Sequence, residues 1–189
     1  MDKIKYKNTD SICACKVSLD IVGDRWSLII VRDLFRGKNT YSQFLNESAE
    51  RIASNVLSDR LKKLVEFEII NYRVNPLDRK IKEYYLTDRG VDLYNIIYEL
   101  QNWTIDNVDF NQSSNTKEFK KLTKSKPKDI IISNFKSQYK TMLKNLHSNQ
   151  LVMVHPGSSD SKVQLPGHSN KLRSLEAKIL KESTVNLVD

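Results

Sequence analysis

Apolar side chains recur at helical spacing through most of the first 110 residues, and the period shortens once, between residues 69 and 87. Ile12, Val17, Leu19, Ile21 and Val22 supply the apolar content of a first helix that Asp10 or Ser11 can cap. Gly23-Asp24 ends it, and Asp24 can cap a second helix near 25–36. That segment carries Trp26, Leu28, Ile29, Ile30, Val31, Leu34 and Phe35, so it is apolar almost all round and is expected at the centre. Gly37 stops it, and a short helix follows Thr40 with Tyr41, Phe44 and Leu45 inward. The next stretch, "IASNVLSDRLKKL" (52–64), puts Val56, Leu57, Leu61 and Leu64 on one side of a helix running from about Ser54 to Phe67.

The period then changes to that of strands. "IINYRV" and "KIKEYYLT" are rich in β-branched and aromatic residues, and the "NPLDRK" between them has turn chemistry in Asn75-Pro76 and Asp78. This predicts a hairpin whose tip and flank are basic, with Arg79, Lys80 and Lys82. Thr87-Asp88 then caps a long helix with Leu93, Ile96, Ile97, Leu100 and Trp103 on one side, a stripe too apolar for a solvated helix and expected to pair with a second copy. Three helices followed by a two-stranded hairpin predict a mainly α fold with a small β-hairpin, a winged helix-turn-helix.

This order explains an oddity of the 52–64 helix. Its non-apolar side carries Ser54, Asn55, Ser58, Asp59 and Lys62, although short hydrogen-bonding side chains are poor choices for an ordinary solvated face. A helix that enters the DNA major groove needs short side chains for close approach, and Ser and Asn as partners for base edges and phosphates. Ser54, Asn55, Ser58, Arg60 and Lys62 are the candidate contacts on this helix, and Lys80 and Lys82 on the hairpin are candidate phosphate contacts. Arg60 flanks the apolar stripe and reads equally as a phosphate contact or a structural ion pair. Asp59, facing DNA, would favour cytosine N4 or repel phosphate.

Several of these segments together resemble one family. Cys13, "LDIVGDRWSLIIVRDLFRG" (19–37), "TYSQF" (40–44), "IASNVLSDRLKKL" and "KEYYLTDRG" (82–90) stand in the order and spacing of the HxlR-type transcriptional regulators, bacterial winged-helix proteins related in fold to the MarR group. The resemblance covers roughly residues 10–105. It implies a homodimer, paired through its first and last helices, that binds a pseudo-palindromic operator, most often as a repressor. The chain departs from the pattern at Asp24, where a second Gly is usual, and at Thr40, which replaces a usual Arg. Asp59 stands where Gln is common, Glu68 replaces the usual Gly after the reading helix, and the wing is longer than usual.

The resemblance also implies that Cys13 aligns with an N-terminal cysteine that many such regulators use to sense oxidants or electrophiles. Cys13 is expected in the first turn of the helix, where unpaired N–H groups and the dipole favour a thiolate, and Lys16 adds positive charge. Cys15 is expected deeper in the helix on another side, so the two should not bridge within one intact helix. The alternative is that both are small helix residues without redox function. Two cysteines are too few for a disulfide scaffold or a zinc site, so no metal and no cofactor is expected.

Charge divides the 189-residue chain. The net charge is +8, yet residues 1–110 hold 17 basic and 17 acidic side chains, so the excess lies in residues 111–189. Residues 51–82 are locally positive, with eight basic against four acidic, whereas residues 83–110 set Arg89 alone against six acidic side chains. Residues 117–144 carry nine Lys against Glu118 and Asp129, and from Pro127 a helix with Ile131, Ile132, Phe135, Tyr139, Met142, Leu143 and Leu146 on one stripe is expected. Its apolar stripe is expected to pack in the dimer, with a lysine face that is solvated or reaches DNA backbone. Three regions result: a winged-helix DNA-binding and dimerisation domain over 1–110, a basic amphipathic helical extension over 111–147, and an irregular, flexible or appended tail over 148–189, with a short amphipathic helix near 172–180.

Other function classes find little support. The five glycines form neither a phosphate loop nor a dinucleotide fingerprint, and the three histidines all lie at or beyond 147, so no enzyme is expected. No apolar run approaches the roughly 18 residues of a membrane span, and the first residues are no secretory signal, which predicts a cytoplasmic protein without membrane contact. Double-stranded DNA, a second copy of the chain and a small-molecule or oxidant effector are the expected partners. The rival reading is a dimeric winged-helix adaptor that binds protein rather than DNA.

Overall fold

The computed structural model describes residues 2–4, 6–7 and 12–151. Two compact units divide the chain, one up to Ile97 and one from Tyr98 on. Among the described residues no helix is long and apolar enough to cross a membrane.

The first unit opens with α1 (Ala14–Val22), which starts later than the sequence suggested; Asp10 and Ser11 lie outside the described residues. Of its apolar residues only Val22 is buried, while Leu19 is 59% exposed and Ile12, just ahead of the helix, is fully exposed. The close passage at Gly23 admits no side chain, since a Cβ there would lie 2.6 Å from Leu19 Cα. Helix α2 (Arg25–Phe35) is capped by Asp24 as expected, through the backbone amides of Trp26 and Ser27 at 3.1 and 3.0 Å. It is central: Ser27, Ile30, Val31, Asp33 and Leu34 are all buried. Gly37, at φ 82°, supplies the left-handed turn that ends this segment.

Helix α3 (Tyr41–Glu47) starts at a capping box between Thr40 and Gln43 and buries Phe44. After a turn, α4 (Ser54–Glu66) buries Leu57, Leu61 and Leu64. Strands β1 (Ile70–Val74) and β2 (Lys82–Leu86) pair antiparallel, Ile70 with Leu86 and Val74 with Lys82. This is the expected hairpin, with the second strand two residues shorter at its start. A bridge between Thr40 and Glu83, with the Tyr84 amide donating to the Asn39 carbonyl at 2.7 Å, fastens β2 to the head of α3.

The junction after β2 is tightly built. Thr87 caps α5 (Asp88–Asp92) by accepting from the Gly90 amide, while its hydroxyl donates to the Glu68 carbonyl at 2.6 Å. A Cβ at Gly90 would lie 2.1 Å from the Ile69 carbonyl oxygen, so only glycine fits. The long helix expected from Thr87 is interrupted at Leu93, and α6 (Tyr94–Asn107) follows as a separate helix. Tyr94, Ile97 and Tyr98 form its buried face.

In the second unit, α7 (Ser114–Ser125) is an additional helix, where the sequence reading had only a basic stretch ahead of Pro127. Ser113 caps it, and Phe119 and Leu122 are its buried side. Phe119 meets Tyr98 edge-on, with ring centroids 5.4 Å apart. Helix α8 (Lys128–Leu151) buries Ile131, Ile132 and Tyr139 of the expected stripe and half-buries Phe135, Met142, Leu143 and Leu146. Its helical backbone runs four residues into the region expected to be irregular; the segment near 172–180 lies outside the described residues.

Candidate nucleic-acid interface

The α3–turn–α4 segment is the helix-turn-helix, and its turn is held from below. Arg32, on α2, reaches Glu50 with two parallel bonds of 2.6 and 2.9 Å, and Asp33 Oδ1 at 2.7 Å. Ser48 donates to Glu50 at 3.0 Å, and Lys38 lies 3.3 Å from the buried Asp33 carboxylate. The Arg32 hydrogen bonds hold the Glu50 carboxyl down at about 2, against the opposing effect of burial. Arg51 completes the turn in a left-handed conformation, φ 51°. This network was invisible in the sequence, because the pairing partners are 18 residues apart and carry no motif.

Helix α4 buries Leu57, Leu61 and Leu64 and turns its polar face outward along its length. Ser54, Asn55, Asp59 and Lys62 are exposed, as a groove-reading helix requires. Ser58 and Arg60 differ from the expectation. The Ser58 hydroxyl is half-buried, donates to the Ser54 carbonyl at 3.0 Å and lies 3.3 Å from the Tyr41 hydroxyl. The Tyr41 hydroxyl also donates to the Ser54 carbonyl, at 2.9 Å, so α3 and α4 are joined at their N-terminal ends.

Arg60 takes the structural alternative. Its Nε lies 3.2 Å from Asp24 Oδ1, an ion pair without hydrogen-bond alignment, so this side chain is spent on the cap of α2 rather than turned to the groove. Lys63 joins it, 3.4 Å from Asp24 Oδ2. Burial pushes the Asp24 carboxyl up, but hydrogen bonds from Ser27 and the charges of Arg60 and Lys63 outweigh it, leaving Asp24 below the usual carboxylate range. The departure at Asp24 thereby finds a reason: the carboxylate caps α2 and anchors α4 at once.

The wing is ordered by its own side chains. Asn75 accepts from the Leu77 and Asp78 amides, Asp78 accepts from the Lys80 amide, and Glu83 takes both Arg73 at 2.7 Å and Asn75 at 2.6 Å. Arg79 and Lys80 are exposed at the tip. Lys82, also exposed, sits 4.1 Å from the centroid of the Tyr72 ring, so its ammonium is already engaged in a cation–π contact.

The remaining predicted residues fall elsewhere. Ile96, Leu100 and Trp103 are exposed along one side of α6, at 41, 48 and 62%, whereas Ile97 belongs to the chain's own core and Leu93 is half-buried. The expected five-residue stripe is thus reduced to three outward positions. Cys13 is the residue before α1 and makes no capping hydrogen bond, and Cys15, rather than Cys13, lies in the first turn; both thiols are free and exposed. Lys16 pairs with Asp20 at 3.0 Å, which offsets the charge expected near the thiols. Among the described residues no cluster of His, Cys, Asp and Glu could hold a metal ion.

Comparison with known proteins gives this arrangement a lineage. The HxlR-like helix-turn-helix family matches residues 21–112. An HTH-type transcriptional regulator of Mycobacterium tuberculosis, itself uncharacterized, is 35% identical over 46% of this chain, which spans about half, 53%, of that relative's length. YvaP of Bacillus subtilis, also an uncharacterized HTH-type transcriptional regulator, is 32% identical over 49% of this chain and 84% of its own. The solved structure of the transcriptional regulator YodB from B. subtilis in its reduced form is similar at 26% identity and a TM-score of 0.44, over 54% of this chain and 100% of that one. With most of YvaP covered at that identity, and the helix-turn-helix and wing in the matched order, this chain belongs to the HxlR-like helix-turn-helix family.

Proposed function

We propose that the protein is a sequence-specific DNA-binding transcriptional regulator, a repressor that acts as a homodimer on a pseudo-palindromic operator. The observation that carries this reading is the outward polar face of α4, with Ser54 and Asn55 in its first turn and Lys62 two turns on, on a helix braced by the Arg32–Glu50 pair below and by Tyr41 beside it. Ser54 and Asn55 read base edges; Lys62, Lys80 and the neighbouring Arg79 contact phosphates. Ser58 and Arg60 position the helix. The dimer is supported by the exposed apolar side chains of Leu19 on α1 and of Ile96, Leu100 and Trp103 on α6, with Ile12 exposed just ahead of α1. Two-fold pairing gives two reading helices for two half-sites.

Cys13, which the family resemblance aligns with a sensing cysteine and which is exposed as Cys15 also is, is the proposed entry point of an oxidant or electrophile signal, its product an inter-subunit disulfide or an adduct. A footprint on the DNA upstream of the protein's own gene, combined with a salt titration, tests the reading. Two protected half-sites and an affinity that falls steeply with salt are expected. Absence of any salt-dependent shift would favour the dimeric adaptor. Cys13→Ser should abolish the oxidant response while Cys15→Ser keeps it.

A further inference from the structure

Among the described residues, eight of the cations of the winged-helix unit, Lys7, Lys16, Arg32, Lys38, Arg60, Lys63, Arg73 and Arg89, are paired with carboxylates of that unit. Helix α7 is different. Lys117, Lys120, Lys121 and Lys124 fall within an arc of about 100° of the helix circumference. Phe119 and Leu122, the buried residues, occupy the opposite side. Lys117, Lys121 and Lys124 are exposed and Lys120 is half-buried, and among the described residues none of the four forms an ion pair.

The arrangement is unfavourable by itself. Lys117 with Lys120 and Lys121, and Lys124 with Lys120 and Lys121, are like charges three or four residues apart, which destabilise a helix. Lys117 also stands near the N-terminal end of α7, where the helix dipole repels a cation, and the first turn holds no acidic residue to offset it. An anionic partner removes this repulsion.

The chemistry of the face selects among anions. A helix that lies on a membrane buries its apolar side in the bilayer, but here Phe119 and Leu122 face the protein interior and the lysine face has nothing apolar to insert. Single-stranded nucleic acid is held by aromatic stacking, and the lysine face has no aromatic residue. Four ammonium groups in a row suit a duplex phosphate backbone, which asks only for charge. We propose that the lysine face of α7 is a sequence-independent binding surface for the phosphate backbone of double-stranded DNA, additional to the winged-helix site. It lies just beyond the matched family region, which ends at residue 112, and it rests on the DNA-binding reading above.

The test uses the full chain and a mixed-sequence DNA duplex, with binding followed by fluorescence anisotropy between about 50 and 200 mM salt. The fourfold variant Lys117→Gln, Lys120→Gln, Lys121→Gln and Lys124→Gln should bind more weakly. Its slope of log affinity against log salt should be shallower by about 0.9 for each lost phosphate contact, about 3–4 in all. The corresponding fourfold Lys→Arg variant keeps the charge and should keep the wild-type slope. An unchanged slope in the Gln variant overturns the proposal, as does an equal loss in the Arg variant. Loss of binding to phosphatidylglycerol vesicles with duplex binding unchanged would instead assign the face to membranes. Lys80→Ala separates the two sites: if it lowers the slope while the α7 Gln variant does not, the winged-helix reading stands and this one falls. A wild-type protein that binds no duplex overturns both.

Discussion

Arg32 and Glu50 face each other fork to fork, with bonds of 2.6 and 2.9 Å, and so tie the central helix to the turn between α3 and α4. Removing the Glu50 charge leaves Arg32 with Asp33 alone, so Glu50→Gln should cost about 1–2 kcal/mol at neutral pH. The pH dependence follows from the Glu50 pKa, which is lowered from 4.5 to about 2 in the folded chain. Its contribution is complete above 4.5 and is lost as pH falls towards about 2. Urea denaturation of both proteins across this range should show their stability difference shrinking as the solution is acidified.

Gly90 passes directly under the Ile69 carbonyl, where a methyl group has no room. Gly90→Ala should therefore force the strand-to-helix junction apart and cost about 3 kcal/mol. The denaturant midpoint should fall with an unchanged slope, since the fold and its buried surface stay the same.

Glu68 stands at φ 50°, where glycine is at ease and a glutamate is strained. Its ion pair with Arg89, 2.7 Å, is with a carboxylate that is 63% exposed and contributes little. Glu68→Gly relieves the strain but frees the unfolded chain, for a net gain of about 0.5 kcal/mol. Glu68→Ala keeps the strain, loses the ion pair and should be slightly less stable than wild type. Thermal melts of the two variants should move in opposite directions.

Base reading and phosphate contact separate in binding experiments. Asn55→Ala should cost about 1–3 kcal/mol on the operator found by footprinting and little on unrelated DNA. Lys80→Ala should weaken both alike and reduce the salt slope by about one. Lys82→Ala removes the contact with Tyr72 as well, so it should lower the melting temperature, which Lys80→Ala should not.

Trp103 is 62% exposed on α6, beside Ile96 and Leu100. Sedimentation should find a dimer at micromolar concentration, and Trp103→Arg should shift it towards monomer with no loss of helix content by circular dichroism. A wild-type monomer that protects both half-sites would contradict the pairing.

The helices and the hairpin were legible because their apolar periods are strong and their caps are local: Asp24, Thr40 and Thr87 each act within three residues. Side-chain direction was less legible. Ser58 and Lys62 are both polar and lie four residues apart on α4, yet one turns to Tyr41 and the other to solvent, a difference set by a partner on another helix. Arg60 likewise found a carboxylate 36 positions away in the sequence, and Ile97 a core that its heptad-like spacing could not distinguish from a dimer face. Helix α7 was missed because Phe119 and Leu122 alone make a weak apolar signal among many lysines.

The fastening of Thr40 to Glu83 lies one residue from Tyr41, whose hydroxyl holds the first turn of α4. The head of α3 is therefore a coupling pin: the wing is attached on one side and the reading helix on the other. On the proposed reading, a displacement of the hairpin is passed through the Thr40–Glu83 bridge and Tyr41 to the first turn of α4. The proposed phosphate contact at the wing and the proposed base readout by α4 would then act as parts of one lever, so substitutions at Lys80 and Asn55 should show energetic coupling in a double-mutant cycle on DNA.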